Sequence, residues 1–143
     1  MNFEKISKSL LVLILVLSTG ACSHFSDRAK DKEKAKIYLQ LGADQFAQRE
    51  FNKALESTLE ALKYDPESAA AFNHLGIIYM ETKRFPKAEE SLKKALELQN
   101  EYPEAQNNLG VLYNRMEKFT ESIKFFEKAL ASDKYLTPEN ALS

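Results

Sequence analysis

The chain repeats itself. Leu41-Gly42 returns as Leu75-Gly76 and again as Leu109-Gly110, each step being 34 residues. Phe51, Phe85 and Phe119 keep the same step, as do Ala61-Leu62, Ala95-Leu96 and Ala129-Leu130. Lys53-Ala54 matches Lys87-Ala88, and Tyr79 matches Tyr113. A fixed period of this length means that one supersecondary unit is stacked on copies of itself, each burying its neighbour's apolar face. Glycine inside a helix costs about 1 kcal/mol relative to alanine. Keeping it at three equivalent places implies a close approach of a neighbouring helix. The small Ala54, Ala88, Ala61, Ala95 and Ala129 point the same way, and the aromatic and leucine columns supply the buried mass.

The unit is helical. Four glycines, four prolines and few β-branched runs disfavour strand-and-turn folds. Asp65-Pro66-Glu67 and Tyr102-Pro103-Glu104 read as helix starts, and Pro86 is tolerated only in a first turn. The spacing predicts helices near 33–48, 52–64, 68–82, 86–98, 103–116 and 120–132.

This period and these residue types resemble tetratricopeptide repeats, whose pattern runs from a large residue through Leu-Gly, Tyr, Ala, Phe and Ala to Pro. The second repeat carries it as Phe72, Leu75, Gly76, Tyr79, Ala88 and Ala95, and the third as Leu109, Gly110, Tyr113, Phe126 and Ala129. The first has Tyr38, Leu41, Gly42, Ala54, Ala61 and Pro66, with Gln45 where Tyr is expected; the third has Ser122 where an Ala is expected. The resemblance implies an all-α solenoid of antiparallel helix-turn-helix pairs over residues 35–136, divided 35–68, 69–102 and 103–136. Residues 137–143 read as the stub of a further repeat, since Pro138-Glu139 echoes Pro103-Glu104. Such a stub is too short to cap the array. Either a partner or second copy covers the last apolar face, giving self-association through the carboxyl-terminal repeat, or the chain is part of a longer protein.

The first residues read as an address. Lys5 and Lys8 precede the apolar run Leu10 to Leu17. Those eight residues rise about 12 Å as a helix, against a hydrocarbon core of roughly 30 Å. The run therefore suits a signal peptide rather than a membrane span. Small residues lead to Cys22, the only cysteine of the chain. The arrangement resembles a bacterial lipoprotein signal, which implies cleavage after residue 21 and acylation of Cys22. The alternative is an ordinary signal peptide with an incidental cysteine. Thr19 departs from the Leu usual in that family, and Ser23 in place of Asp implies the outer membrane, facing the periplasm. Residues 22–34 read as a charged, solvated tether.

Composition excludes other classes. Twenty Lys plus Arg against 21 Asp plus Glu leave a net charge of −1, which argues against a nucleic-acid partner. One Cys and two His leave no metal site. No phosphate loop, nucleophile elbow or zinc-protease motif is present, so neither catalytic residues nor a cofactor other than the lipid on Cys22 is expected.

The remaining expectation is binding. In the resembled family the first helix of each pair lines a concave groove. The positions carried over are Leu39, Ala43 and Phe46; Asn73, His74, Ile77 and Met80; and Asn107, Val111 and Asn114. They describe an apolar floor with amide rims, suited to a protein segment. The bland alternative assigns Leu39, Ile77 and Val111 to the core. The clamp that some members use for C-terminal carboxylates corresponds to Leu39, Ala43, His74, Glu104 and Asn108, of which only Asn108 fits. A lipid-anchored chain of this type resembles the PilF/PilW-type pilotins of type IV pilus systems, which implies a secretin subunit as partner. Cell-wall or outer-membrane-protein assembly machinery, or an envelope enzyme of which this is a regulatory part, remain as alternatives.

Overall fold

The computed structural model describes residues 27–131. The expected signal peptide, Cys22 and the stub at 137–143 lie outside them. Six helices follow one another: α1 over 27–47, α2 (Phe51–Tyr64), α3 (Ala69–Glu81), α4 (Phe85–Leu98), α5 (Pro103–Arg115) and α6 (Phe119–Leu130). No strand is present among the described residues, and no helix there is long and apolar enough to cross a membrane. From α2 to α6 the observed bounds lie within two residues of those the spacing predicts.

The first helix differs. It is already helical at residue 27, so residues 27–34 of the expected tether are the start of α1. No Gly or Pro interrupts this stretch, and charges of both signs recur at helical spacing, as in Lys34–Asp31 at 3.6 Å. The stretch is also held from outside. Lys34 Nζ lies 4.9 Å from the centre of the Tyr64 ring, and Tyr38 stacks on Tyr64 at 5.6 Å.

The tight turn between the two helices of each repeat is built the same way three times. Arg49, Lys83 and Glu117 adopt positive φ of 62°, 58° and 60°. Each is followed by a residue whose N–H reaches back five positions: Glu50 to Gln45 O, Arg84 to Tyr79 O, and Lys118 to Tyr113 O. This is the Schellman ending of a helix, in which a left-handed residue lets the last carbonyls be satisfied. Sequence alone conceals it, because none of the three is glycine. The longer turns between repeats use other devices. Ser68 accepts a hydrogen bond from the Ala71 N–H at 3.2 Å and starts α3, whereas Pro103 occupies the first turn of α5.

Packing explains the repeated columns. α3 packs on α4 and α5 on α6 within repeats, while α2 meets α3 and α4 meets α5 between them. Ala54, Ala88 and Ala95 are completely buried, as are Leu92, Leu109 and Leu112. Met80, Ala88, Leu92, Leu109, Leu112 and Tyr113 form one core cluster centred between the second and third repeats. The two departures from the repeat pattern are compensated. Ser122 is buried, and its hydroxyl donates to Gly110 O at 2.8 Å. Gln45 accepts from the Ser57 hydroxyl at 2.7 Å, whereas Tyr113 in the equivalent place donates to Glu89 at 2.9 Å. The Lys93 ammonium, 2.7 Å from Glu89, holds that carboxyl below its ordinary pKa, and the Tyr113 hydroxyl adds to the effect.

Candidate functional site

The odd-numbered helices form one layer and the even-numbered helices another. α3 and α5 touch, but α2 makes no contact with α4, nor α4 with α6. The α1, α3, α5 layer is therefore the compressed side of the stack, and its outward surface is the concave one. Cross-links tie it together. Asn108 Nδ2 donates to Asn73 Oδ1 at 2.9 Å. Arg115 pairs with Glu81 at 2.7 Å, and the His74 ring stands edge-on to Phe46 at 5.7 Å.

The ten expected groove residues divide into two sets. Helical periodicity puts Ala70, His74, Ile77 and Glu81 on one stripe of α3, and none of the four is buried. Ala43 and Val111, the counterparts of Ile77, are likewise half-exposed. Met80 does not line the groove: it is buried in the core cluster. Asn73 is buried too and spends its amide oxygen on Asn108. Both lie about a quarter of a turn round α3 from the centre of that stripe, on the side that meets the next repeat. Leu39 and Phe46 occupy the same positions of α1 and are half-buried. Phe46 is held between His74 and Phe51, the latter at 5.5 Å. Asn107 and Asn114 stand in those positions on α5. They are exposed because no further first helix follows them among the described residues. Val111 also packs against the core cluster, so the core reading holds for it in part.

The residues that sequence reasoning missed follow from the same rotation. Gln40, Glu81 and Arg115 share the concave stripe with Asn108, which the clamp comparison already named. Counting helical turns from the Leu-Gly columns finds them, since those columns mark the opposite, buried side. The resulting surface has an apolar line at Ala43, Ile77 and Val111, flanked by amides and one ion pair.

His74 brings an imidazole to this surface. Its Nδ1 lies 2.8 Å from Thr58 Oγ1, and the Thr58 hydroxyl donates its single proton to Ala54 O at 2.7 Å. The imidazole is therefore the donor to Thr58, through Nδ1–H. Burial pushes the His74 pKa below its ordinary value. The neutral ring then carries an acceptor at Nε2.

Two further concavities lie elsewhere. An open cleft of about 720 Å³ separates the first turns of α1 from the α2–α3 turn, lined by Arg28, Lys32, Tyr64 and Glu67 among others. A second of about 660 Å³ lies on the outer side, with Phe72 and Tyr79 below a rim of Lys87, Glu90, Lys94 and Glu97.

Comparison with known proteins agrees with this architecture. A tetratricopeptide-repeat profile matches residues 39–103, and a second profile of the same repeat matches 103–135. No curated protein matches significantly. Among solved structures, MamA superposes with a TM-score of 0.65 at 24% identity, over 78% of this chain and 63% of MamA. The second repeat domain of Spaghetti, bound to an HSP90 peptide, gives 0.71 at 20% identity over 78% of this chain and 96% of that one. PilF of Pseudomonas aeruginosa gives 0.71 at 24% identity, over 74% of this chain and 48% of PilF. The chain thus spans under two thirds of MamA and about half of PilF.

Proposed function

The chain belongs to the tetratricopeptide-repeat family, a family of protein-interaction scaffolds, and from that we propose that it is a lipid-anchored adaptor of the bacterial envelope. In this reading Cys22 carries the lipid, the repeats stand off the periplasmic face of the outer membrane, and the concave layer holds an extended segment of a client. The pilotin role, with a secretin subunit as client, is the specific form of the proposal. It is supported by the lipoprotein-like start of the sequence and by repeats that begin soon after Cys22.

The observation that carries the binding reading is the stripe of Ala43, Ile77 and Val111 flanked by Gln40, His74 and Asn108. An apolar line receives side-chain anchors, while amides and an imidazole pair with a peptide backbone. The Spaghetti domain was solved with a peptide bound, which supports peptide binding as a use of this fold. The client differs from an acidic tail, because Leu39, Ala43 and Glu104 offer no cation where a carboxylate clamp needs one.

The test is recovery of partners from detergent-solubilised envelope with the full chain as bait. An Ala43→Glu/Ile77→Glu variant, checked for an unchanged melt, serves as control. A secretin held by the wild type and lost by the variant is the expected result. Cell-wall enzymes or outer-membrane assembly factors in its place refute the pilus assignment and leave the adaptor. Clients held equally by both proteins refute the groove. Mass spectrometry of the mature protein against Cys22→Ala tests the anchor separately.

A further inference from the structure

The two ends of the described helix stack are apolar, and they match one another. At the amino end, Ile37 and Leu41 of α1 are 60% and 44% exposed, about one helical turn apart. Their counterparts one and two repeats on are Ala71 with Leu75 and Ala105 with Leu109. Those are buried, because α2 packs on α3 and α4 on α5. At the other end, Phe119, Ile123 and Leu130 of α6 are 59%, 58% and 65% exposed. They share one helical face. Phe85 and Leu96, the counterparts of Phe119 and Leu130 on α4, pack against the core that α5 helps to form. Each end is thus one half of an interface that the chain already makes twice inside itself.

Polar groups extend the match. Within the chain the Asn108 amide donates to Asn73 across α3 and α5. The next step of that ladder falls on Asn107 at the one end and Gln40 at the other. Both are exposed amides. Gln40 gives one N–H to Asp44 at 3.0 Å and has a second to offer.

We infer that the apolar face of α6 takes α1 of a second copy of this chain, head to tail, as α4 takes α5. The interface is heterologous, so it leaves one free end of each kind and extends the stack rather than closing it. Two positions depart from the α4–α5 junction: Ile37 stands where Ala71 and Ala105 are completely buried, and Ile123 stands where α4 has Glu89, so the end-to-end contact is more apolar than the internal one. The inference is independent of what the concave groove binds.

Sedimentation of the full chain in density-matched detergent, with micelles in excess, tests it. The set comprises the wild type, an amino-end variant Ile37→Glu/Leu41→Glu, and a carboxyl-end variant Ile123→Glu/Leu130→Glu. All four substituted side chains are exposed, and an unchanged circular-dichroism melt verifies folding. The wild type is expected to gain mass with concentration. Each variant alone stays monomeric, and an equimolar mixture of the two gives a dimer and nothing larger, through the one intact pair of ends. An amino-end variant that dimerises by itself overturns the inference in favour of two-fold pairing between α6 helices. A wild type and a mixture that both remain monomeric overturn it in favour of cover from residues 132–143 of the same chain.

Discussion

Gly76→Ala separates two opposing effects whose sizes can be compared. Helix propensity alone favours alanine by about 1 kcal/mol in a helix interior. The structure opposes it. A Cβ on Gly76 would lie 2.5 Å from Leu92 Cγ and 2.7 Å from Leu92 Cδ2. Ordinary carbon contacts are about 3.5–4.0 Å, so Leu92 would have to retreat by about 1 Å. Leu92 is completely buried in the central cluster and has nowhere to go. Overpacking costs about 1–3 kcal/mol, and a completely buried Leu92 puts this site in the upper part of that range, about 2–3 kcal/mol; with the propensity gain of about 1 kcal/mol subtracted, a net loss of about 1–2 kcal/mol is expected. Gly110→Ala is the internal comparison. Its Cβ would meet Phe126 at 2.6 Å, but Phe126 sits on α6, the last described helix, and is only half-buried. That ring can swing outward, so the substitution should cost less than Gly76→Ala, with a net effect near zero. Urea unfolding followed by far-ultraviolet circular dichroism measures both, read as midpoints at constant slope. The melting temperature of Gly76→Ala should fall by about 4 °C per kcal/mol, where the ranges for smaller and larger domains meet. A Gly76→Ala protein as stable as the wild type, or a Gly110→Ala protein less stable than Gly76→Ala, would refute the close-approach argument for the Leu-Gly column.

Lys83→Gly should stabilise the protein by several tenths to about 1 kcal/mol, since Lys83 holds φ of 58° and glycine carries no Cβ penalty there; Arg49→Gly and Glu117→Gly should act alike, and a loss of stability in all three would overturn the reading of that turn. Stability should decline as pH falls below the ordinary His value of 6.5. Buried His74 resists protonation while the unfolded chain binds the proton first. The decline runs from that value down through the folded-state pKa of His74, and it should be absent from His74→Gln in the same melts. Glu89 adds a second decline at lower pH. Its stabilisation is fully present above the unfolded value of 4.5 and is lost as pH falls through the depressed folded value, and Glu89→Gln should remove it. Ser68→Ala should cost about 1 kcal/mol by removing the cap of α3, detectable as a lower unfolding midpoint.

Much of the architecture is legible in residue spacing. The recurrence of Leu-Gly, Phe and Ala-Leu locates five of the helices to within two residues, because each column is a contact that every repeat must make. The start of α1 was not legible in that way. Residues 27–34 lie before the first repeat column, and their helicity depends on i,i+3 charge pairs and on Tyr64, which is distant in sequence. The groove was legible only as a helix, not as a face. Of the positions that the family resemblance carried over, Ala43, His74, Ile77 and Val111 are half-exposed. The resemblance misplaced Met80 and Asn73, because a residue one helical step round belongs to the next repeat rather than to solvent.

The sequence by itself determined the all-α class, the repeat period and the pairing of helices, since those follow from which residue types recur at which interval. Tertiary structure alone decided exposure. Asn73 and Asn107 hold the same place in the repeat, as do Met80 and Asn114, yet the first of each pair is buried and the second is open. The difference is a neighbouring helix, which is present after the second repeat and missing among the described residues after the third. Burial is a property of what stands opposite, and a local pattern does not record its own neighbours.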